Sequence, residues 1–159
     1  MQSSKIPLNL PPIEGRISED NGKTLIYDEL RGKKIVLTPE EHVRQRFVNF
    51  LITVKNFPPE RIANEVSINV NNTSKRCDTV VYDNYLDPLV IVEYKAPDVP
   101  ITKAVFEQIA RYNLALRAPY LIVSNGLTHY CCHIDYVSMS YSFLKDIPLF
   151  EEISRDQAQ

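Results

Sequence analysis

The sequence has no tryptophan, only four glycines and three cysteines, and no long hydrophobic run. Its longest apolar segment, residues 88–92, ends at Glu93 and is far shorter than the roughly 20 residues of a membrane-spanning helix. The N-terminal residues lack the basic and apolar blocks of a secretory signal, so we expect a cytoplasmic protein with no membrane partner. There is no Gly-x-x-x-x-Gly-Lys-Ser/Thr loop, so the sequence predicts no nucleotide cofactor and excludes ATP-driven translocation by this chain.

The sequence also has no large excess of basic or acidic residues. Eighteen Lys and Arg residues against twenty Asp and Glu residues give a net charge of −2, so a nucleic acid would have to bind at a local basic patch. The length of 159 residues and the 44% of hydrophobic residues are typical of one soluble domain. We predict an N-terminal arm over residues 1–22, a single domain over residues 23–150 and a C-terminal tail over residues 151–159.

The cysteines do not indicate disulfide bonds, because their number is odd and two of them are adjacent. Residues 129–133 contain four potential zinc ligands, but their spacing matches no zinc-binding motif. On a strand, Cys131 would share one side with His129 and His133, while Cys132 would point to the other side. We therefore interpret both thiols as core residues, with a zinc site as the alternative.

A strong helix signal begins at Thr38. Thr38 is a good N-cap, Pro39 suits the first helical position, and Glu41 stands three residues after the cap, as in a capping box. Arg44 and Arg46 lie largely off the apolar face that follows. The residues of that face recur at helical spacing and are Val43, Phe47, Phe50, Leu51 and Val54.

Apolar runs further along the chain predict a mixed sheet. Strands are expected over residues 65–70, 76–82, 89–95, 119–124 and 129–136. The other expected elements are a hairpin joining residues 23–27 to 33–37, a helix over residues 102–116 and a short helix near residues 142–145. That longer helix would turn Val105, Ile109, Tyr112 and Leu116 to one side. Since a helical crossover makes two strands parallel, the predicted fold class is α/β, with a mixed four-to-five-stranded sheet and helices on its faces.

Charged residues interrupt two of the apolar strands. Period-two geometry places Glu93 and Lys95 on one face of the sheet and Tyr94 on the other. The preceding strand carries Asp78, which can lie across from Glu93 if the two strands are antiparallel neighbours. Two carboxylates so close repel each other, and a divalent cation with oxygen ligands, Mg²⁺ or Mn²⁺, would reconcile them.

Simpler interpretations exist for each residue alone. Glu93 and Lys95 could form a salt bridge at a strand end, and Asp78 could pair with Arg76. All three in neighbouring strands with matching side-chain parity favour a metal site.

Five motifs in this order resemble the PD-(D/E)XK nuclease superfamily, and more narrowly the N-terminal nuclease domain of type I restriction enzyme R subunits in a short stand-alone form. The matching segments are TPEEHVRQ (residues 38–45), RCDTVV (76–81), VEYKAP (92–97), QIARY (108–112) and SNG (124–126). The resemblance implies a restriction-endonuclease-like αβββαβ core. It departs from the family name at Cys77, which stands in place of the proline before the acid.

The resemblance also implies a function, that of a Mg²⁺-dependent deoxyribonuclease of a restriction-modification system. Asp78, Glu93 and the backbone carbonyl of Tyr94 would bind Mg²⁺ or Mn²⁺, and Lys95 would orient or help deprotonate the attacking water. The implied partners are DNA and either other restriction-system subunits or a second copy of the chain. The alternatives are a catalytically silent module that binds nucleic acid or protein, and an interaction protein with a buried ion-pair cluster.

In the family, a carboxylate on the first helix completes the site, and here Glu40 and Glu41 compete. Glu40 precedes Val43 by three residues and Phe47 by seven, which turns it toward the sheet. Glu41 would lie nearer the outer side and already has a capping role, so we prefer Glu40.

The resemblance further implies contacts with the nucleic acid backbone. Gln108 and Tyr112 stand one helical turn apart and match a Gln-x-x-x-Tyr motif that supports the active site and binds nucleic acid. Arg44 and Arg111 are candidates for a cationic rim, and solvated surface positions are the alternative interpretation of both.

Overall fold

The computed structural model describes residues 7–13 and 15–158, with side chains up to residue 154, and these residues contain two sheets. The smaller sheet is antiparallel, in the order β1 (Ile17–Asp20), β2 (Lys23–Asp28) and β3 (Lys33–Val36). The larger sheet is mixed and runs in the order β4 (Ile62–Val70), β5 (Thr73–Tyr82), β6 (Pro88–Tyr94), β7 (Tyr120–Ser124), β8 (His129–Asp135) and β9 (Ser140–Phe143). The helices are α1 (Pro39–Thr53), α2 (Lys103–Asn113) and α3 (Phe150–Ala158), with short 3₁₀ turns at Pro59–Arg61 and Leu114–Leu116.

The topology confirms the predicted fold class. Strands β4, β5 and β6 form an antiparallel meander, and α2 crosses over to β7, which is parallel to β6. All five residues of β7 are buried, as its continuous apolar run predicts. Among the described residues, no helix is long and apolar enough to cross a membrane.

Helix α1 begins as predicted, but its capping box is only half formed. Thr38 Oγ1 accepts a hydrogen bond from the Glu41 N–H at 3.0 Å. The Glu41 carboxylate does not complete the motif by turning back to the cap; it accepts hydrogen bonds from Arg31 and Gln45. These partners remove Glu41 from the surface, and only 6% of the residue is exposed.

The larger sheet buries one apolar layer on each face. On the α1 face, Val43 and Phe47 pack with Tyr94 and Cys131. The other face packs against α2, and Cys132 belongs to that layer, so the two adjacent thiols point to opposite sides as predicted. The apolar stripe predicted for α2 is right for Ile109 and Leu116, which pack in this layer, and wrong for Tyr112, which is 43% exposed. The buried positions of the helix are Phe106, Ala110 and Asn113.

Three terminal segments differ from the prediction. Residues 17–20 of the predicted arm form β1, whereas residues 1–6 and 14 of the arm lie outside the described residues. Residues 140–143 form edge strand β9 where a short helix was expected, and the Phe143 ring packs 5.0 Å from the Phe106 ring. Helix α3 lies where most of the tail was predicted. The centre of the ring of its first residue, Phe150, lies 5.3 Å from the centre of the Phe57 ring.

The N-terminal segment docks on the loop after β7. The Asn9 N–H donates to the Gly126 carbonyl at 2.7 Å, and the Arg46 guanidinium donates to the carbonyl oxygens of Leu10 and Pro11. Gly126 has a φ of +86°, and a Cβ added there would lie 2.8 Å from Leu8 Cδ2. This position therefore favours glycine for its backbone conformation, and an added Cβ would also displace the end of the Leu8 side chain.

We predict that Gly126→Ala lowers the free energy of unfolding by at least about 2 kcal/mol, since backbone strain and overpacking act together. Gly22→Ala is the matched control, because Gly22 has a φ of +77° with nothing within 4 Å of the added Cβ. It should cost about 1 kcal/mol from the backbone alone. Chemical denaturation measures both variants, and equal losses would show that Leu8 does not pack against Gly126.

Candidate active site

Asp78 and Glu93 lie opposite each other on neighbouring strands. Thr79 of β5 pairs with Val92 of β6, and the two acids follow one residue further along the same register. The two carboxylates interact: burial, followed by the charge of Asp78, raises the pKa of Glu93 to about 9. Because two carboxylates can only accept, this contact calls for a proton or a cation between them.

Asn113 is a neighbour of Glu93 that the sequence interpretation missed. Among the described residues, Glu93 Oε1 and Asn113 Oδ1 are buried acceptors with no hydrogen-bond donor. The Asn113 amide lies close enough to lower the pKa of Glu93 against the effect of burial. Its position could have been found from spacing, since Asn113 follows Phe106 by seven residues and Ala110 by three on one helical face.

Asp78 accepts hydrogen bonds through both its carboxylate and its main-chain oxygen. Its Oδ2 accepts a hydrogen bond from the Tyr94 N–H at 2.9 Å, and its main-chain oxygen accepts one from Arg44 Nη1 at 2.6 Å. The Tyr94 side chain is 2% exposed and packs on the α1 face, so its predicted parity is confirmed. Its hydroxyl donates to Thr79 Oγ1, which donates to Asn64 Oδ1.

Glu40 faces this pair from the first turn of α1. Burial and the charge of Asp78 raise the pKa of Glu40, while Arg44 and Lys95 lower it. Lys95 follows the end of β6, is half-buried, and donates its N–H to the Ser124 carbonyl at 2.9 Å. The half-buried Glu40 thus lies near both Asp78 and Lys95.

Glu41 and Arg44 were placed wrongly on the outer side of α1. Glu41 Oε2 lies 3.0 Å from Arg31 Nη2 and 3.2 Å from Arg44 Nε. Arg44 is only 3% exposed, and its Nη2 donates to Glu65 Oε1 at 2.6 Å. Both residues are buried because their charges are paired inside the protein, so Arg44 does not belong to a cationic rim.

The motif residues of α2 lie on its exposed side. Gln108 and Arg111 are exposed, and Tyr112 is 43% exposed. The Tyr112 hydroxyl accepts a hydrogen bond from the Arg76 N–H at 3.3 Å, and Lys75 Nζ lies 4.3 Å from the centre of its ring. Tyr112 therefore links α2 to β5 two residues before Asp78.

A cleft of about 950 Å³ opens beside Glu40. One wall comes from the smaller sheet and includes Arg31, Lys33 and Ile35, and the opposite wall includes Glu65 and Arg76 of the larger sheet. Asp78, Glu93 and Lys95 do not line this cleft, and its positive side chains alternate with Glu40, Glu41 and Glu65.

The donor set at Asp78 and Glu93 fits a hard divalent cation, because it offers carboxylate oxygens and the buried Glu93 Oε1 acceptor without a donor. Across the part of the chain that the structure describes, no three His, Cys, Asp or Glu side chains form a group that could hold a metal ion. Glu40 therefore stands outside the Asp78–Glu93 pair, and His129, Cys131 and His133 do not form a zinc cluster.

Comparisons with known proteins agree with this fold. The sequence model of the family described as Type I restriction enzyme R protein N terminus (HSDR_N) matches residues 39–148. A solved fragment assigned as the HsdR subunit of a type I restriction enzyme from Vibrio vulnificus YJ016 is similar, with a TM-score of 0.51 and 18% identity over 77% of this chain and 26% of that chain.

A cryo-EM structure of a DrdV–DNA complex has a TM-score of 0.45 and 13% identity over 74% of this chain and 12% of that chain. The chain thus spans only about a quarter of the HsdR fragment and about an eighth of the DrdV chain. No curated protein sequence matches it significantly.

We predict that Glu93→Gln stabilises the metal-free protein at about pH 8 and has little effect at about pH 5. The pKa of Glu93 is about 9 in the folded state against an ordinary value of 4.5, so the folded state binds the extra proton. Wild-type stability therefore falls as pH rises through this window, and the glutamine removes that loss.

Thermal melts in excess chelator, recorded across this pH range, measure the effect. Glu60→Gln, a change at an exposed acid in the turn before β4, is the matched control and should follow the wild type. A parallel pH dependence for Glu93→Gln and wild type would show that burial and Asp78 do not raise the pKa of Glu93.

Proposed function

The chain belongs to the family of type I restriction enzyme R protein N-termini, and from this membership we propose that it is a Mg²⁺- or Mn²⁺-dependent endonuclease domain that hydrolyses phosphodiester bonds of DNA. The observation that carries the proposal is the placement of Asp78 and Glu93 on neighbouring strands, one residue beyond the Thr79–Val92 pair, while Glu40 is close enough for the charges of Asp78 and Lys95 to shift its pKa. A half-buried pair of acids that repel each other is a cost to the fold unless it binds something.

Asp78, Glu93 and the backbone carbonyl of Tyr94 would hold the cation. When bound, the cation supplies charge stabilisation at the phosphoryl group and lowers the pKa of a bound water. The Lys95 ammonium donates hydrogen bonds to the attacking water or to a phosphate oxygen, which orients the reactants and offsets developing negative charge.

Glu40 is the carboxylate of α1 that is available to this site. Glu41 is paired with Arg31 and Arg44, whereas Glu40 is half-buried and faces Asp78 and Lys95. Glu40 accepts a hydrogen bond from a water of the site, and its raised pKa makes it a better proton acceptor than an ordinary carboxylate.

The nucleic acid lies along the exposed side of α2 in this proposal. Gln108 donates to its phosphate oxygens, Arg111 adds a positive charge, and Tyr112 fixes α2 against β5. Other restriction-system subunits or a second copy of the chain are the partners in this proposal.

A catalytically silent binding module is the second candidate. It is favoured by the position of Glu40 outside the acid pair, and by the net charge of −2, which gives the chain no general attraction for phosphate. Such a module would bind DNA or protein without cutting.

We predict that Asp78→Ala and Lys95→Ala each reduce Mg²⁺-dependent nicking of plasmid DNA by roughly 100-fold or more, since each removes a group that stabilises the transition state. Lys23→Ala, which removes an exposed lysine of β2, is the matched control and should cut at the wild-type rate. Circular dichroism checks that each variant is folded.

The same assay with single-stranded RNA in place of plasmid DNA shows whether the protein cuts DNA, RNA or both. Cleavage that survives either substitution would contradict the proposed site. A wild-type protein that retards DNA on a gel without cutting it in Mg²⁺ or Mn²⁺ would support the silent module instead.

A further inference from the structure

The pairing of β4 with β5 is interrupted beside Asp78. The ladder passes from Asn64–Thr79 to Val66–Cys77 and skips the pair between them, which is Glu65 with Asp78. Glu65 has a φ of +56°, a left-handed conformation that a residue with a side chain rarely adopts. Such backbone outliers persist only where the surroundings hold them, and they cluster at functional sites.

Arg44 forms hydrogen bonds with both Asp78 and Glu65, the two residues that do not pair across β4 and β5. Its Nη1 donates to the Asp78 carbonyl at 2.6 Å, and its Nη2 donates to Glu65 Oε1 at the same distance. Its Nε lies 3.2 Å from Glu41 Oε2, and the guanidinium lies 5.7 Å from the centre of the Tyr94 ring. One side chain thus joins α1, β4, β5 and β6 around the acid.

The Arg44 side chain is 4% exposed, so it does not reach a nucleic acid. Its contact is with the main chain of Asp78, while the Tyr94 N–H fixes the carboxylate of the same residue. Together these two hydrogen bonds determine how the Asp78 peptide is rotated and therefore where its carboxylate points.

We propose that Arg44 is a positioning residue that holds the Asp78 carboxylate against Glu93, so that the two acids bind a divalent cation. The inference rests on the proposed function, since it concerns the same cation. Groups that hydrogen-bond a metal ligand set its orientation, and their loss typically weakens metal binding by roughly 10- to 100-fold. A lysine would keep the charge but lacks the planar fork that reaches Asp78 and Glu65 together.

The test is the affinity of the Arg44→Lys protein for Mn²⁺, measured by isothermal titration calorimetry. We expect binding to weaken by roughly 10-fold or more. The turnover number for DNA cleavage should fall, whereas KM for DNA should stay within about twofold, since Arg44 does not touch the substrate.

Arg46→Lys is the matched control. Arg46 lies on the same helix and also donates to main-chain carbonyls, but those carbonyls belong to Leu10 and Pro11. Its loss should lower the thermal midpoint without changing Mn²⁺ affinity. Wild-type Mn²⁺ affinity in folded Arg44→Lys would overturn the inference, even if that variant is less stable than the wild type.

Glu65→Gly provides a second route if Arg44→Lys does not fold. Glycine suits the positive φ of this position, and the change removes a carboxylate that orients Arg44. We expect Mn²⁺ binding to weaken by roughly 3-fold, as a partial loss of the effect of Arg44. Unchanged affinity would overturn the inference, and no Mn²⁺ binding by the wild type would overturn the proposed function and the inference with it.

Discussion

The mutual repulsion of two half-buried carboxylates, Asp78 and Glu93, is the constraint on which the site depends. Asp78 Oδ2 accepts a hydrogen bond from the Tyr94 N–H, but nothing in the described chain donates to Glu93 Oε1. Coulomb interactions are stronger in a medium of low dielectric constant, so the pair is stable only with a proton or a cation beside it. The two strands thus hold two like charges close together, and a proton or a cation would neutralise them.

The apolar layers on both faces of the sheet keep Asp78 and Glu93 close together. Val92 and Tyr94 are buried against α1, and Ile91 is buried on the opposite side against α2, so β6 cannot slide to separate Glu93 from Asp78. A one-residue slip would turn every apolar side chain of this strand to the wrong face. The packing that stabilises the fold therefore also fixes the distance between the acids.

Much of this arrangement could be predicted because it depends on short-range periodicity. The parity of Glu93 and Tyr94 follows from alternation along one strand, and the central position of β7 follows from its unbroken apolar run. Glu41 and Arg44 could not be placed this way, because their burial depends on Arg31 and Glu65, which come from other elements. Single-sequence patterns carry no signal for such pairings.

The ion-pair network also bears on where the folded unit begins. Family similarity starts at residue 39, yet Arg31, in the turn between β2 and β3, pairs with both Asp28 and Glu41, and Asn64 Nδ2 donates to Asp28 Oδ2 at 3.3 Å. Truncation at the similarity boundary would leave Glu41 with one arginine and uncover the side of α1 that the small sheet protects. A fragment intended to fold independently, or a limited-proteolysis product that keeps its structure, therefore has to retain β2, β3 and the turn between them.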